Sequence, residues 1–215
     1  MTALSSTPRK GMDLTATGQQ GLIRVALPET NGKPPAEEDA LVRASQRGER
    51  QAFAKLVERY WDSLYRWLYH LTRNRHTAED LVQETFLKAF RGLDRFQAGS
   101  NFRAWLFRIA HNSFANQRRA AARVRQNLAE DIPAKQESPA DAAQTRESMA
   151  LLARAVSKLP PDFRAAFLLR VEEDLSFRQI ADVLDLTEET ARWRVFKARQ
   201  KLLSMLAPQL KTEQS

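Results

Sequence analysis

In every patterned stretch of this chain the apolar residues recur at helical spacing, and nowhere do they keep the two-residue alternation of a half-buried strand. That regularity confines the fold to the all-α class. Helical pattern begins near Glu37 and continues into a core helix in which Phe53, Leu56, Val57, Tyr60, Leu64, Trp67, Leu68 and Leu71 share a broad face. A second amphipathic helix is expected from Thr77 to Arg91, with Ala78, Leu81, Val82, Phe86, Ala89 and Phe90 on its buried side. Thr77 reads as its N-cap, which puts Glu79 and Asp80 at the positive end of the helix dipole. A third, from about Asn101 to Arg119, buries Phe102, Trp105, Leu106, Ile109 and Ser113.

Breaks in this pattern divide the chain into two small helical domains joined by a flexible linker. Residues 1–35 are rich in Thr, Ser, Gly, Gln and Pro and lack sustained periodicity, the composition of a disordered tail. The first helical domain spans 36–120, a basic linker with Pro133 and Pro139 spans 121–144, and a second helical domain spans 145–210. Within the latter, Leu159-Pro160-Pro161-Asp162 marks a helix boundary, with proline suited to a first helical turn.

The stretch Ser176 to Leu203 reads as two capped helices around a tight turn, the layout of a helix-turn-helix. Ser176 caps the first with Gln179 three residues on; Asp185 and Leu186 turn; Thr187 caps the second, with Glu188 and Glu189 at its positive end. Ala191, Val195, Ala198 and Leu202 form the buried stripe of that second helix. Its other face carries Glu189, Arg192, Trp193, Phe196, Lys197 and Gln200. In a major groove such a face offers cations to phosphates and apolar surface to thymine methyls; the plainer alternative is that Trp193 or Phe196 packs on a neighbouring helix.

The charge balance suits a polyanionic partner: 34 Lys and Arg against 26 Asp and Glu give a formal net charge of +8 and a pI near 10.1. The chain contains no cysteine, which excludes disulfides, thiolate zinc sites and a cysteine nucleophile. His70, His76 and His111 are the only histidines, and none forms a metal-ligand pair one turn from another. With no nucleophile-base set or phosphate loop, neither catalysis nor a metal or cofactor is expected. No stretch approaches the roughly 20 apolar residues that span a bilayer, and a soluble, cytoplasmic protein is expected.

Two further features invite a binding role. Leu87 projects from the polar face of its helix among Asp80, Gln83, Glu84 and Arg91, the pattern of an apolar anchor inside a polar ring, although scattered exposed leucines are common. The loop Asp94 to Asn101 precedes a helix lined by Arg108, Asn112 and Arg119, and such a loop and helix can hold a base taken out of its stack. Its chemistry alone favours an ordinary capping turn with Phe96 in the core.

The span from about Asp39 to Leu206 resembles the extracytoplasmic-function group of bacterial sigma factors, on four segments in matching order and spacing: AEDLVQETFLKAFRGLDRF, FRAWLFRIAHN, LPPDFRAAFLLR and SFRQIADVLDLTEETARWRVFKARQKL. The resemblance implies a sigma region 2 helical bundle followed by a sigma region 4 helix-turn-helix, and a chain that directs core RNA polymerase to promoter DNA, melts it and initiates transcription. It implies that Asp80, Gln83, Glu84 and Leu87 dock on the polymerase clamp. Phe96, Asn101 and Asn112 would hold a flipped base of the minus-ten element, with Lys88, Arg108 and Arg119 near the strand backbone. Arg192, Trp193, Phe196 and Lys197 would face the element about thirty-five base pairs upstream. An anti-sigma factor is a further partner the resemblance implies. Competing readings are a sigma mimic that sequesters such a factor and a polymerase-independent repressor. A repressor needs neither the Leu87 helix nor the Phe96 loop.

Overall fold

The computed structural model describes residues 36–128 and 145–212, with side chains over 36–123 and 151–207. Tail 1–35 and most of the expected linker lie outside the described residues. Among these residues the regular structure is helical: α1 (Ala36–Gln46), α2 (Arg50–Thr72), α3 (Arg75–Gly92), a 3₁₀ turn (Leu93–Arg95), α4 (Phe102–Leu128), α5 (Thr145–Lys158), α6 (Pro161–Val171), α7 (Phe177–Leu184) and α8 (Glu188–Thr212). Helices α1–α4 form one unit and α5–α8 the other.

The first unit is organised by α2. Leu56, Tyr60, Leu64, Trp67 and Leu68 are buried along one stripe, and α3 and α4 close over it with Leu81, Val82, Phe102, Leu106 and Phe107. Burying each such side chain contributes about 1.5–3 kcal/mol against its exposed state. The helical pattern that begins near Glu37 breaks at Gly48, whose φ of 91° ends α1 and lets α2 turn back on it. α1 is then pinned by polar contacts: Glu37 pairs with Arg59 at 2.7 Å, and the Tyr60 hydroxyl donates to the buried carboxylate of Glu38. Burial, reinforced by that carboxylate, raises the Tyr60 pKa.

Several local expectations are corrected. Asn74, not Thr77, caps α3: its Oδ1 accepts from the Thr77 backbone N–H at 2.9 Å, so the helix starts at Arg75. Glu79 consequently lies beyond the first turn and pairs with Arg75 at 2.9 Å. Phe90, expected in the core, is 52% exposed, although its ring touches Phe53 of α2. α4 runs on to Leu128, past Arg119 and into the segment read as linker. Its buried side also includes Phe107, Ala110 and Phe114.

The second unit is built around α6, buried on nearly all sides between α2 of the first unit and α8 of its own. Pro161 occupies its first position, where the missing N–H costs nothing. Arg164 is 5% exposed and spends its guanidinium on carbonyls: Nε on Val156 O (3.2 Å), Nη2 on Ser157 O (2.6 Å) and Leu159 O (2.7 Å), and Nη1 on His70 O. Burial pushes its pKa down to about 10, with a smaller push from Arg73. The guanidinium stays charged at neutral pH.

The two units touch directly, which the expectation of domains hung on a flexible linker did not include. α7 packs on α4 and α6 on α2. The Trp67 indole N–H donates to Ala165 O at 3.4 Å, and the Arg164 bond to His70 O crosses the same seam. His70 and His111 lie along it. Burial above all holds both below the ordinary imidazole pKa, with Arg164, Arg66 and Arg73 adding to the effect at His70. At His111, Arg194 and Arg118 act with burial while Asp162 and Asp185 oppose it, and its buried Nδ1 has no hydrogen-bond partner.

Two outcomes are expected. Arg164→Lys keeps the charge but not the planar fork of donors, and should cost about 2–3 kcal/mol in denaturant unfolding by stranding buried carbonyls. For the histidines, a folded pKa below the unfolded value of about 6.5 means that their contribution is complete above that pH and is lost as pH falls below it. The thermal midpoint should therefore drop between pH 7.5 and 5.5, less so in a His70→Gln, His111→Gln double variant.

Candidate polymerase and nucleic-acid interfaces

On α3, one face is buried by Leu81, Val82, Thr85 and Ala89, and the opposite face is fixed by helical period. Asp80, Gln83, Glu84 and Leu87 all stand exposed there, Leu87 by 58%. The apolar surface around Leu87 is wider than the sequence reading supposed. Phe53, Val57 and Trp61 of α2 join Gln83, Phe86, Leu87 and Phe90 to line one open groove. Phe90 meets Phe53 edge-on at 5.0 Å, and Trp61 stacks on Phe86 at 6.0 Å. The missed signal was the four-residue step from Phe53 to Val57 to Trp61. It lies beside the Leu56, Tyr60, Leu64 stripe and marks a second apolar face.

The loop before α4 is held from beneath. Phe96 is 7% exposed and packs on Trp105 (4.9 Å between ring centroids) and Phe102 (5.6 Å), while the Gln46 side-chain amide donates to the carbonyls of Leu93 and Phe96. The Phe96 ring therefore belongs to the core and offers no face to a base. Asn101 caps α4, its Oδ1 accepting from Ala104 N–H at 2.8 Å. Between them Gln97, Gly99 and Ser100 are exposed, and Gly99 has a φ of 91° that a side chain would strain.

Arg108 and Asn112, one turn apart on α4, are both exposed. Lys88 bridges towards them from α3, donating to Ser113 Oγ at 3.0 Å and pairing with Glu84. Arg119 donates to Asn116 Oδ1 at 2.7 Å and remains exposed beyond it. The structure thus places Lys88, Arg108, Asn112 and Arg119 along α4 and its border with α3.

The helix-turn-helix forms as its caps require. Ser176 and Gln179 make a reciprocal capping box: Gln179 N–H donates to Ser176 Oγ (3.2 Å), and Ser176 N–H to Gln179 Oε1 (2.8 Å). Asp185 takes the left-handed conformation that ends α7, and Thr187 Oγ1 accepts from Thr190 N–H at 3.2 Å to start α8. Ala191, Val195, Ala198 and Leu202 are buried. Arg192, Trp193 and Phe196 are exposed and Lys197 is half-buried. Trp193 combines the two readings open to it: it leans on Phe163 of α6 (5.4 Å) yet stays 50% exposed. Arg192 lies over the Phe177 ring at 4.7 Å and pairs with Glu188 at 3.0 Å. Lys197 lies 5.9 Å from the Phe196 ring centre.

Among the described residues there is no group of three or more His, Cys, Asp or Glu side chains able to hold a metal ion. No helix there is long and apolar enough to cross a membrane.

These two surfaces coincide with two known regions. Residues 56–124 match Sigma-70 region 2, and residues 149–202 match Sigma-70, region 4. The chain is 33% identical over 188 residues to the RNA polymerase sigma-H factor of Pseudomonas aeruginosa, an alignment covering 81% of this chain and 96% of that one. It is 32% identical over 182 residues to the ECF RNA polymerase sigma-E factor of Haemophilus influenzae, covering 80% and 96%. It is also 39% identical over 157 residues to the ECF RNA polymerase sigma factor SigE of Mycolicibacterium smegmatis, covering 71% of this chain but 61% of that longer protein. Among solved structures, the sigma factor RpoE of Bartonella quintana, crystallised with the anti-sigma factor NepR, matches with a TM-score of 0.63 at 29% identity, covering 72% and 96%. CnrH, solved with the cytosolic domain of CnrY, matches with a TM-score of 0.60 at 26% identity, covering 80% and 98%. With both regions present, in order, over nearly the whole length of such relatives, the chain belongs to the extracytoplasmic-function sigma factors of RNA polymerase.

Proposed function

We propose that this chain seats on core RNA polymerase through the α3 face, opens promoter DNA with the α4 face, and reads the upstream element with α8. The observation that carries the reading is the α3 groove. Leu87 and Phe90 are large, apolar and more than half exposed, and Asp80, Gln83 and Glu84 surround them. A free surface seldom keeps such a pair without a partner, and a central apolar anchor with a polar rim is the anatomy of a protein interface.

Asn112 is the group with both donors and an acceptor able to read the edge of an unstacked base, and the exposed loop backbone at Gly99 and Ser100 can approach it closely. Phe96 supports that loop from the core. Asn101 holds the start of α4. Arg108 and Arg119 supply charge to the strand backbone, and Lys88 does so on leaving Glu84. On α8, Arg192 and Lys197 contact phosphate or base edges, while Trp193 and Phe196 contact thymine methyls. The cost of unstacking a base, a few kcal/mol, comes from binding and needs no chemistry in this chain. Since the sigma factor RpoE was solved with an anti-sigma factor and CnrH with the cytosolic domain of CnrY, a regulator that covers the Leu87 groove or the α8 face is the expected further partner.

Run-off transcription with core polymerase from the same source, on pooled promoter fragments, should yield new discrete transcripts that depend on this chain; core binding without transcripts would favour a mimic. Leu87→Glu should weaken core binding about 30-fold, equivalent to a 2 kcal/mol hot spot, and leave the thermal midpoint unchanged. Unchanged affinity would remove the anchor. Asn112→Ala should lower permanganate-detected promoter opening at least tenfold with core affinity intact, and equal losses in both would exclude the base-reading role.

A further inference from the structure

Two side chains on the exposed face of α8 rest on aromatic rings from other helices. Trp193 leans on Phe163 of α6, and the Arg192 guanidinium carbon lies 4.7 Å from the ring centre of Phe177, the first residue of α7. That second ring is not free to follow Arg192. It is half-buried and packed against the core, and another guanidinium, that of Arg170, lies 5.3 Å from its centre. Arg170 is 3% exposed, and its Nη1 donates at 3.0 Å to the carbonyl of Leu175, in the turn that leads into α7. The Ser176 and Gln179 capping box then fixes the start of α7 itself. A buried cation of α6 and a helix cap therefore place the ring independently of Arg192.

Arg192 is held twice, by this ring and by Glu188, whose Oε1 accepts from Nη2 at 3.0 Å. An arginine left free on a helix face samples many rotamers, and a base contact selects one of them. A ring beneath the guanidinium holds its orientation by cation–π attraction and uses none of its N–H donors. The remaining donors can present a fork, the geometry that pairs with O6 and N7 of guanine. Position along the helix agrees: Arg192 is the fifth residue of α8, and the N-terminal residues of a recognition helix are those that reach base edges.

We propose that Phe177 is a positioning residue for promoter selection, orienting Arg192 to read a guanine of the upstream element. The inference rests on the reading that α8 addresses that element. Phe177 acts only through Arg192, and Trp193, braced on a different ring, keeps its support when Phe177 is changed.

Holoenzyme formed from the full-length chain and core polymerase is given a promoter from the run-off assay, randomised across its upstream element and linked to a transcribed barcode. The position read by Arg192 is the one where the parent prefers guanine by about tenfold or more and Arg192→Ala does not. At that position Phe177→Leu, which keeps apolar bulk and removes the ring, should lower the preference about fivefold, the worth of one cation–π contact, and Phe177→Met should do the same. Phe177→Tyr keeps the ring and should retain the preference. Circular dichroism should show all three variants folded, with core affinity and the preferences at other positions matching the parent. Full guanine preference in the folded Leu and Met variants, or its loss in Phe177→Tyr, overturns the positioning role. An even loss at every position overturns it too, because that marks a helix-turn-helix that has merely slackened. A parent with no guanine preference that depends on Arg192 overturns the proposal at its first step. Transcription indifferent to the upstream sequence in parent and variants alike would refute the reading of α8 itself, and the role of Phe177 would fall with it.

Discussion

One guanidinium decides how the two halves of this protein meet. Helix ends leave carbonyls without intrahelical partners, and two such ends converge at the seam: that of α5, through Val156 and Ser157 with Leu159 just beyond, and that of α2, through His70. Arg164 answers both with a cation whose donors point in several directions at once, at the negative ends of two dipoles. Lysine has the charge without that geometry. Once Arg164 is fixed, α6 is pinned between α2 and α8, Phe163 is placed under Trp193, and the orientation of the helix-turn-helix relative to the first unit follows.

What was legible in the sequence is what neighbouring residues determine. The capping box at Ser176 and Gln179, the turn at Asp185, the buried stripe of α8 and the exposure of Leu87 follow from spacing along one helix, and the structure has all four. What was not legible depends on partners distant in the chain. Phe90 has the period of a core residue but finds only the edge contact with Phe53 and stays half-exposed. Phe96 lies in the core, as the chemistry of its loop favours, but the Gln46 side chain that holds its carbonyl comes from 50 residues away in the chain. Thr77 and Asn74 are both good caps, and only the backbone path chooses between them. The seam was the largest omission, since Arg164, Glu173 and Arg103 read singly as ordinary surface charges. The burial of Arg164 and Glu173, and the contacts Arg103 makes with Glu173, are properties of the assembled pair of units.

The cations proposed to meet DNA are held, but loosely. Lys88 pairs with Glu84 and Arg192 with Glu188, each one turn away on the same exposed helix face. Pairs of this kind contribute about 0.3–0.5 kcal/mol and weaken with salt. Such a pair orients a side chain without committing it, so that exchange of a carboxylate for a phosphate costs little beyond the displaced counter-charge. Arg164 and Arg103 are different in kind: each donates across the seam between the units, Arg164 to His70 O and Arg103 to Glu173 O, and Arg164 is held as well by carbonyls of its own unit. The chain therefore sorts its basic residues by depth: Arg108, Arg119 and Arg192 stand at the surface, while Arg164 and Arg170 are buried among carbonyls and packed helices. A net charge of +8 divided between two units need not make a chain an indiscriminate DNA binder. Each unit alone offers few phosphate contacts, and the affinity of a two-part reader is gained only when both parts can engage at the correct separation.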